Sequence, residues 1–246
     1  MDKSLYVAMT GAIQNMRGTA IHANNLANVS TTGFRSDFAQ ARSMPVFGET
    51  YASRVYAMEE NPGTNFISGA LQETGRDLDV AVNGEGWIAV QAADGSEAYT
   101  RAGELKVDSL GVLRTGNGLP VMGQGGPIAL PPFEKITIGS DGTISIQSVG
   151  AGPESVAQVE RIKLVNPELQ QLYKGGDGLM RQRNGLAAPA DAAVSIVTGF
   201  VEGSNVNAVE SLTELISLSR QFELHVKMMN MAEENSESSA RLLQLS

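Results

Sequence analysis

The chain has 246 residues, of which 42% are apolar, 18% charged, 5% aromatic and none cysteine. That length can bury a sizeable core of small aliphatic side chains, and the missing cysteine excludes disulfides, thiolate metal sites and a thiol nucleophile. A net charge of −9 leaves no basic surface to follow phosphates, so no nucleic-acid partner is expected.

The first residues, Met1 to Leu5, run into a segment that Gln14, Asn15 and Arg17 interrupt, so no cleaved secretory signal is expected. No stretch nears the roughly 20 apolar residues of a membrane helix, so no membrane span is expected either. Work outside the cytoplasm would then require export that leaves the N-terminus intact.

Residues 3–28 contain no proline and predict a helix. Leu5, Met9, Ala12, Met16, Thr19, Ala23 and Leu26 step by fours and threes, as one helical face requires. A second seam runs through Tyr6, Met9, Ile13, Met16, Ala20, Ala23 and Ala27. Together they make a stripe about 160° wide, broader than a two-stranded coiled coil needs. Either the helix lies in the core of an ordinary domain or it packs against several partners.

Residues 36–75 are punctuated by proline and glycine and predict an extended connector. Residues 76–200 predict β structure. Asp79–Val82, Trp87–Gln91, Lys135–Ile138, Thr143–Ile146 and Arg161–Val165 alternate or run apolar at strand length. Asn83-Gly84, Asp94-Gly95, Asn117-Gly118, Asp141-Gly142 and Asn184-Gly185 separate such runs, and these dipeptides supply the positive φ of tight hairpins. An antiparallel sandwich or open barrel follows.

From about 206 to 245 the chain is again free of proline and glycine. The predicted helix would be about 58 Å long at ~1.5 Å per residue. Ala208, Leu212, Leu215, Ser219, Phe222, Val226 and Met229 form one seam, with Leu224, Met228 and Met231 opposite. A lone helix apolar on two faces would be poorly covered in a monomer. The fold class is therefore α+β. A discontinuous helical domain of coiled-coil-like, paired terminal helices (1–35 and 201–246) carries an inserted all-β domain (76–200) beyond the connector (36–75). The residues expected to pair the helices and to meet neighbouring subunits are Leu5, Met9, Ile13, Met16 and Leu26 in the first helix. In the second they are Leu212, Leu215, Phe222, Leu224, Val226, Met228, Met229 and Met231. The clustered methionines serve either as flexible interface contacts or as simple core filling.

At the end of the first helix stands Asn25-Leu26-Ala27-Asn28-Val29-Ser30-Thr31-Thr32-Gly33-Phe34-Arg35. Asn28 can end a helix, Gly33 permits a turn, and Phe34 would anchor the chain beyond. This string closely resembles the signature shared by flagellar rod and hook proteins. So do Leu78–Trp87 with Tyr99-Thr100-Arg101-Ala102-Gly103, and Glu202-Gly203-Ser204-Asn205-Val206-Asn207, where Asn205 or Asn207 can cap the second helix. Met1-Asp2, Tyr6, Ala8-Met9, Pro45-Val46-x-Gly48 and Trp87 resemble the proximal rod branch. No large inserted domain of the hook type is present.

The resemblance covers essentially the whole chain and implies a structural, non-enzymatic subunit without cofactor. Such proteins leave through the flagellar type III export apparatus without signal cleavage. They assemble in the periplasm with copies of themselves and neighbouring rod subunits, including the distal rod protein, into a torque-transmitting tube. Their terminal helices line its channel region and their β domains face outward. The alternatives are another rod or hook axial subunit or, from a different class, an extracytoplasmic glycan-binding β protein.

Candidate chemistry is sparse. His22 and His225, the two histidines, have no local acid arrangement. Gly123-Gln124-Gly125-Gly126 is followed by proline rather than by a phosphate-binding helix. Asp77-x-Asp79 starts like a calcium loop but continues with Ala81 and Val82. Arg76 is expected to pair locally with Asp77. No catalytic, cofactor-binding or metal-binding residue is assigned.

Overall fold

The computed structural model describes residues 3–45, 55–150 and 156–244. The Met1-Asp2 and Val46-x-Gly48 features lie outside these. Two helices bracket sixteen strands. Helix α1 is Lys3–Ala27, followed by β1 (Asp37–Pro45), β2 (Val55–Thr64), β3 (Leu71–Glu73), β4 (Val80–Asn83), β5 (Trp87–Gln91) and β6 (Glu97–Thr100). Next come β7 (Leu105–Val107), β8 (Leu113–Thr115), β9 (Phe133–Ile138), β10 (Thr143–Ser148), β11 (Val156–Arg161) and β12 (Leu164–Val165). The chain ends with β13 (Leu172–Lys174), β14 (Met180–Gln182), β15 (Ser195–Thr198), β16 (Phe200–Glu202) and α2 (Ala208–Gln244).

These elements form two compact units. A helical unit comprises the chain up to Val29, Ser36–Asn65 and the chain from Val206; a β unit comprises Ser30–Arg35 and Phe66–Asn205. The α+β class with paired terminal helices around an inserted β unit is as expected from the sequence. In the segment expected to be an extended connector, β1 and β2 pair as an antiparallel hairpin from Asp37↔Thr64 to Pro45↔Val55. The hairpin packs on α1. Proline and glycine punctuate this segment, so its sequence does not read as strands, and the ladder satisfies its backbone groups.

In the helical unit, α1 packs along α2. Two glycines of α1 lie close to α2 side chains. Ala8 and Ala12 are buried. A Cβ on Gly18 would stand 3.0 Å from the Leu218 side chain, and one on Gly11 would meet the His225 ring. Helix α2 starts at Asn207, whose Oδ1 accepts from the Val209 and Glu210 N–H groups at 3.1 and 3.3 Å. These two donors would otherwise go unpaired.

In the β unit every strand pair is antiparallel. A five-stranded sheet runs β12-β5-β6-β14-β13 and a three-stranded one runs β11-β10-β9. The apolar run Trp87–Gln91 is a strand buried on both faces. Ile88 and Val90 join an aliphatic cluster with Val80, Leu113, Ile136, Ile144 and Ile196. Trp87 and Ala89 point the other way, into a cluster with Tyr99, Val165, Leu172 and Met180. A period of two explains why one strand serves two cores. The run 161–165 does not hold as one strand. β11 ends at Arg161 and β12 begins at Leu164, and between them Lys163 turns its Nζ to Glu97 at 2.8 Å.

The Asp-Gly and Asn-Gly turns form, by a different geometry from the one expected for tight hairpins. Only glycines have positive φ among the described residues, whereas a type I′ turn needs two such residues. Instead the acidic or amide side chain accepts from the N–H two residues on. Asp94 takes Ser96 at 2.9 Å, Asp141 takes Thr143 at 3.1 Å and Asn184 takes Leu186 at 2.9 Å. The glycine alone then enters the left-handed region, as at Gly95 with φ 83°. Ser96 and Thr143 hold the carboxyls of Asp94 and Asp141 below the usual carboxylate range.

Candidate assembly surface and signature loops

Both terminal helices leave large apolar side chains in solvent. On α1 these are Tyr6, Met9, Ile13 and Met16; on α2 they include Leu212, Ile216, Phe222, Leu224, Met228 and Met231. Leu224, Met228 and Met231 are 58, 54 and 60% exposed. Of the residues singled out in the sequence, Leu5, Leu26, Leu215, Val226 and Met229 are partly buried, while the remaining eight are exposed. Exposed apolar area of this kind marks interaction surfaces. Residues outside that set meet across the α1–α2 contact: Gly11 with His225 and Gly18 with Leu218. Small residues carry little hydrophobic signal, so periodicity overlooks them. The His225 ring lies against Gly11, and its Nδ1 is buried without a hydrogen-bond partner.

The signature string contributes to both units, one part to each. In the helical unit, Asn25 is buried and reads the backbone of Asp37 twice: its Nδ2 donates to the Asp37 carbonyl at 2.7 Å, and its Oδ1 accepts the Asp37 N–H at 3.0 Å. Asp37 in turn accepts from the Thr64 hydroxyl at 3.1 Å. A single amide thus fixes the base of the β1–β2 hairpin to α1. Leu26 is partly buried and Ala27 exposed. Asn28 donates from Nδ2 to the Asn24 carbonyl at 2.9 Å, closing the last turn without left-handed backbone.

In the β unit, Gly33 has φ +68°, and a Cβ there would overlap the backbone of Arg101 and Ala102. Its N–H donates to the Glu202 carbonyl at 2.7 Å. The Phe34 ring lies 4.0 Å from Lys174 Nζ, which donates to the Arg35 carbonyl at 2.7 Å. Gly203 donates to the Ala70 carbonyl at 2.8 Å, and Asn205 donates from Nδ2 to the Ile67 carbonyl at 2.8 Å. Of the two asparagines proposed as helix caps, Asn207 caps and Asn205 ties two loops of the β unit.

These loops converge on a buried ionic cluster that the motif reading quoted residue by residue but did not assemble. Arg35, Arg101 and Glu202 are 1, 4 and 1% exposed. Glu202 Oε1 lies 2.6 Å from Arg35 Nη1, off hydrogen-bond alignment, and accepts the Gly69 N–H at 2.8 Å. Its Oε2 accepts from Arg101 Nη1 at 2.9 Å. Arg101 Nη2 also donates to the Gly84 carbonyl at 2.7 Å. Both guanidiniums lie against Trp87, with Cζ 5.7 and 5.3 Å from the ring centroid. Phe66 meets the indole edge-on at 6.2 Å. Burial lowers the pKa of Arg101, and Glu202 opposes that shift. The available signal was a charged residue beside each glycine motif, at Phe34-Arg35, Arg101-Ala102-Gly103 and Glu202-Gly203. Arg76 lies near Asp79 at 3.8 Å and Glu104 at 3.7 Å, rather than forming the expected pair with Asp77. Residues 123–126 close as a turn, Gly123 N–H to Gly126 carbonyl at 2.7 Å.

Three family descriptions match in chain order. "Flagella basal body rod protein" covers residues 5–35, "Flagellar hook protein FlgE/F/G D1 domain" covers 81–146 and "Flagellar basal body rod FlgEFG protein C-terminal" covers 197–242. The chain is 42% identical to the flagellar basal-body rod protein FlgF of Salmonella typhimurium and 40% identical to that of Escherichia coli, over the full length of both partners in each case. The chain belongs to the flagellar basal-body rod protein family. It is 31% identical to the rod protein FlgG of Bacillus subtilis, over 95% of this chain and 96% of that one, so these two FlgF relatives match more strongly than this FlgG. The rod-family chain is a structural subunit of the FlgF type. Among the described residues no cluster of His, Asp and Glu has the form of a metal site, and no helix is long and apolar enough to cross a membrane.

Proposed function

We propose that this rod subunit polymerises in the proximal segment of the periplasmic drive shaft, which carries motor torque to the distal rod, hook and filament. Its exposed helix faces bind copies of the chain and neighbouring rod subunits, including the distal rod protein. It reaches the periplasm through the flagellar type III apparatus without signal cleavage. The observation that carries this reading is the pair of terminal helices with apolar side chains in solvent, on a chain alike over its full length to FlgF proteins. Isolated helices of this kind are marginal, so their order is coupled to assembly. On this reading the domains are the helical ends (1–35 and 201–246), a connector that pairs as a hairpin (36–75) and the β domain (76–200).

Imaging of basal bodies from a strain lacking the gene tests the proposal. Growth should stop within the rod, with no hook or filament, and the intact gene should restore it. Complete, turning flagella without the gene would overturn it.

A further inference from the structure

We propose that Glu202 is the closing staple of the β unit, so that the unit completes its fold only when this residue docks between Arg35 and Arg101. The inference concerns the folding of one chain and stands whether or not that chain builds a rod.

Three stretches far apart in sequence meet at one carboxylate. Arg35 comes from the loop after the signature helix, Gly69 from the chain before β3, and Arg101 from the end of β6; Glu202 ends β16. Their approach is close enough to require glycine. A Cβ on Gly33 would overlap the backbone of Arg101 and Ala102, and one on Gly69 the Gly203 carbonyl. Arg35 also disfavours the charge on the buried Arg101. Without Glu202, two cations would share one indole in a dry site, with Arg35 Nε, Arg35 Nη2 and Arg101 Nε already lacking hydrogen-bond partners. Such a site costs far more than its packing returns. The loops around Trp87 therefore stay open until the carboxylate from the last strand arrives. The aliphatic cluster around Ile88 and Val90 needs no such condition, because it contains neither Trp87 nor a residue of β16.

Stopped-flow folding and unfolding of the full chain tests this, read by Trp87, which is the single tryptophan. A late-forming contact changes unfolding and leaves folding alone. Glu202→Gln and Arg35→Met should each unfold at least tenfold faster than the parent and refold within twofold of its rate. The charge-free variant Arg35→Met/Arg101→Met/Glu202→Leu should fold cooperatively and unfold more slowly than Glu202→Gln, because no buried charge is left unpaired. Refolding slowed tenfold in Glu202→Gln, or both rates unchanged, would overturn the proposal. If Glu202→Gln does not fold at all, the charge-free variant decides. Its folding supports the staple, and its failure shows that shape rather than charge closes the unit.

Discussion

The helical unit and the β unit treat burial in opposite ways. The β unit buries large apolar side chains such as Ile88, Leu113 and Ile144 completely, and it also buries Arg35, Asp79, Arg101 and Glu202, with the Glu202 carboxylate set against both arginines. The helical unit buries little more than Ala8, Ala12, Asn25 and Ser211, and leaves Met16, Leu224 and Met231 in solvent. The β unit has a large aliphatic core of its own, with Ile67, Leu110 and Leu186 exposed at its surface; the helical unit has no comparable core among the described residues. A protein that must stay soluble before assembly and become rigid after it benefits from keeping these two properties in separate units.

The sharpest way to break that comparison is Gly33→Ala. Positive φ and backbone overlap together should cost the β unit more than about 3 kcal/mol, seen as a large fall in the thermal midpoint followed by Trp87 fluorescence. An unchanged midpoint would mean that the signature loop is not part of the β unit's core.

Alkaline titration should weaken the β unit next. Burial pushes the Tyr99 hydroxyl up to about 12, and that oxygen accepts the Ala188 N–H at 2.7 Å. A folded pKa above the ordinary value of about 10 means the contribution is intact below pH ~10 and is lost as pH rises towards ~12, by roughly 2–3 kcal/mol in all. Tyr99→Phe should flatten this loss in pH-dependent urea melts, at the cost of leaving the Ala188 N–H unpaired at neutral pH. Equal alkaline slopes in both proteins would remove Tyr99 from the account.

Asn25→Ala should act on the other unit. Two hydrogen bonds to Asp37 disappear from a buried site, costing about 2 kcal/mol. Hydrogen exchange should rise in the β1–β2 hairpin and stay unchanged in β5 and β10. Faster exchange in those strands as well would show that the two units are not separately stable.

The smallest effect on the monomer should come from replacing Leu224, Met228 and Met231 together by Ser. Each is already more than half exposed, so the monomer should lose less than about 1 kcal/mol while co-assembly with rod subunits is abolished. A melting loss as large as the assembly loss would make these residues core rather than interface.

Much of this organisation was legible in the chain. Seams of apolar residues spaced by three and four gave both helices, and the Asp141-Gly142 and Asn184-Gly185 pairs gave turns where they occur. The β1–β2 hairpin was not legible, because proline and glycine punctuate its segment and its base is fixed by Asn25 from α1. The Ile, Leu and Met seams predict the α1–α2 pairing, yet its close approaches lie at Gly11 and Gly18, and small side chains give periodicity little weight.

Family and the two terminal helices follow from sequence, since they depend on residue type and local spacing. The Arg35–Arg101–Glu202 cluster around Trp87 was decided by tertiary structure alone. Its members lie in different motifs, and a charge reads as solvated until the fold shows a counter-charge and an aromatic face removing it from water.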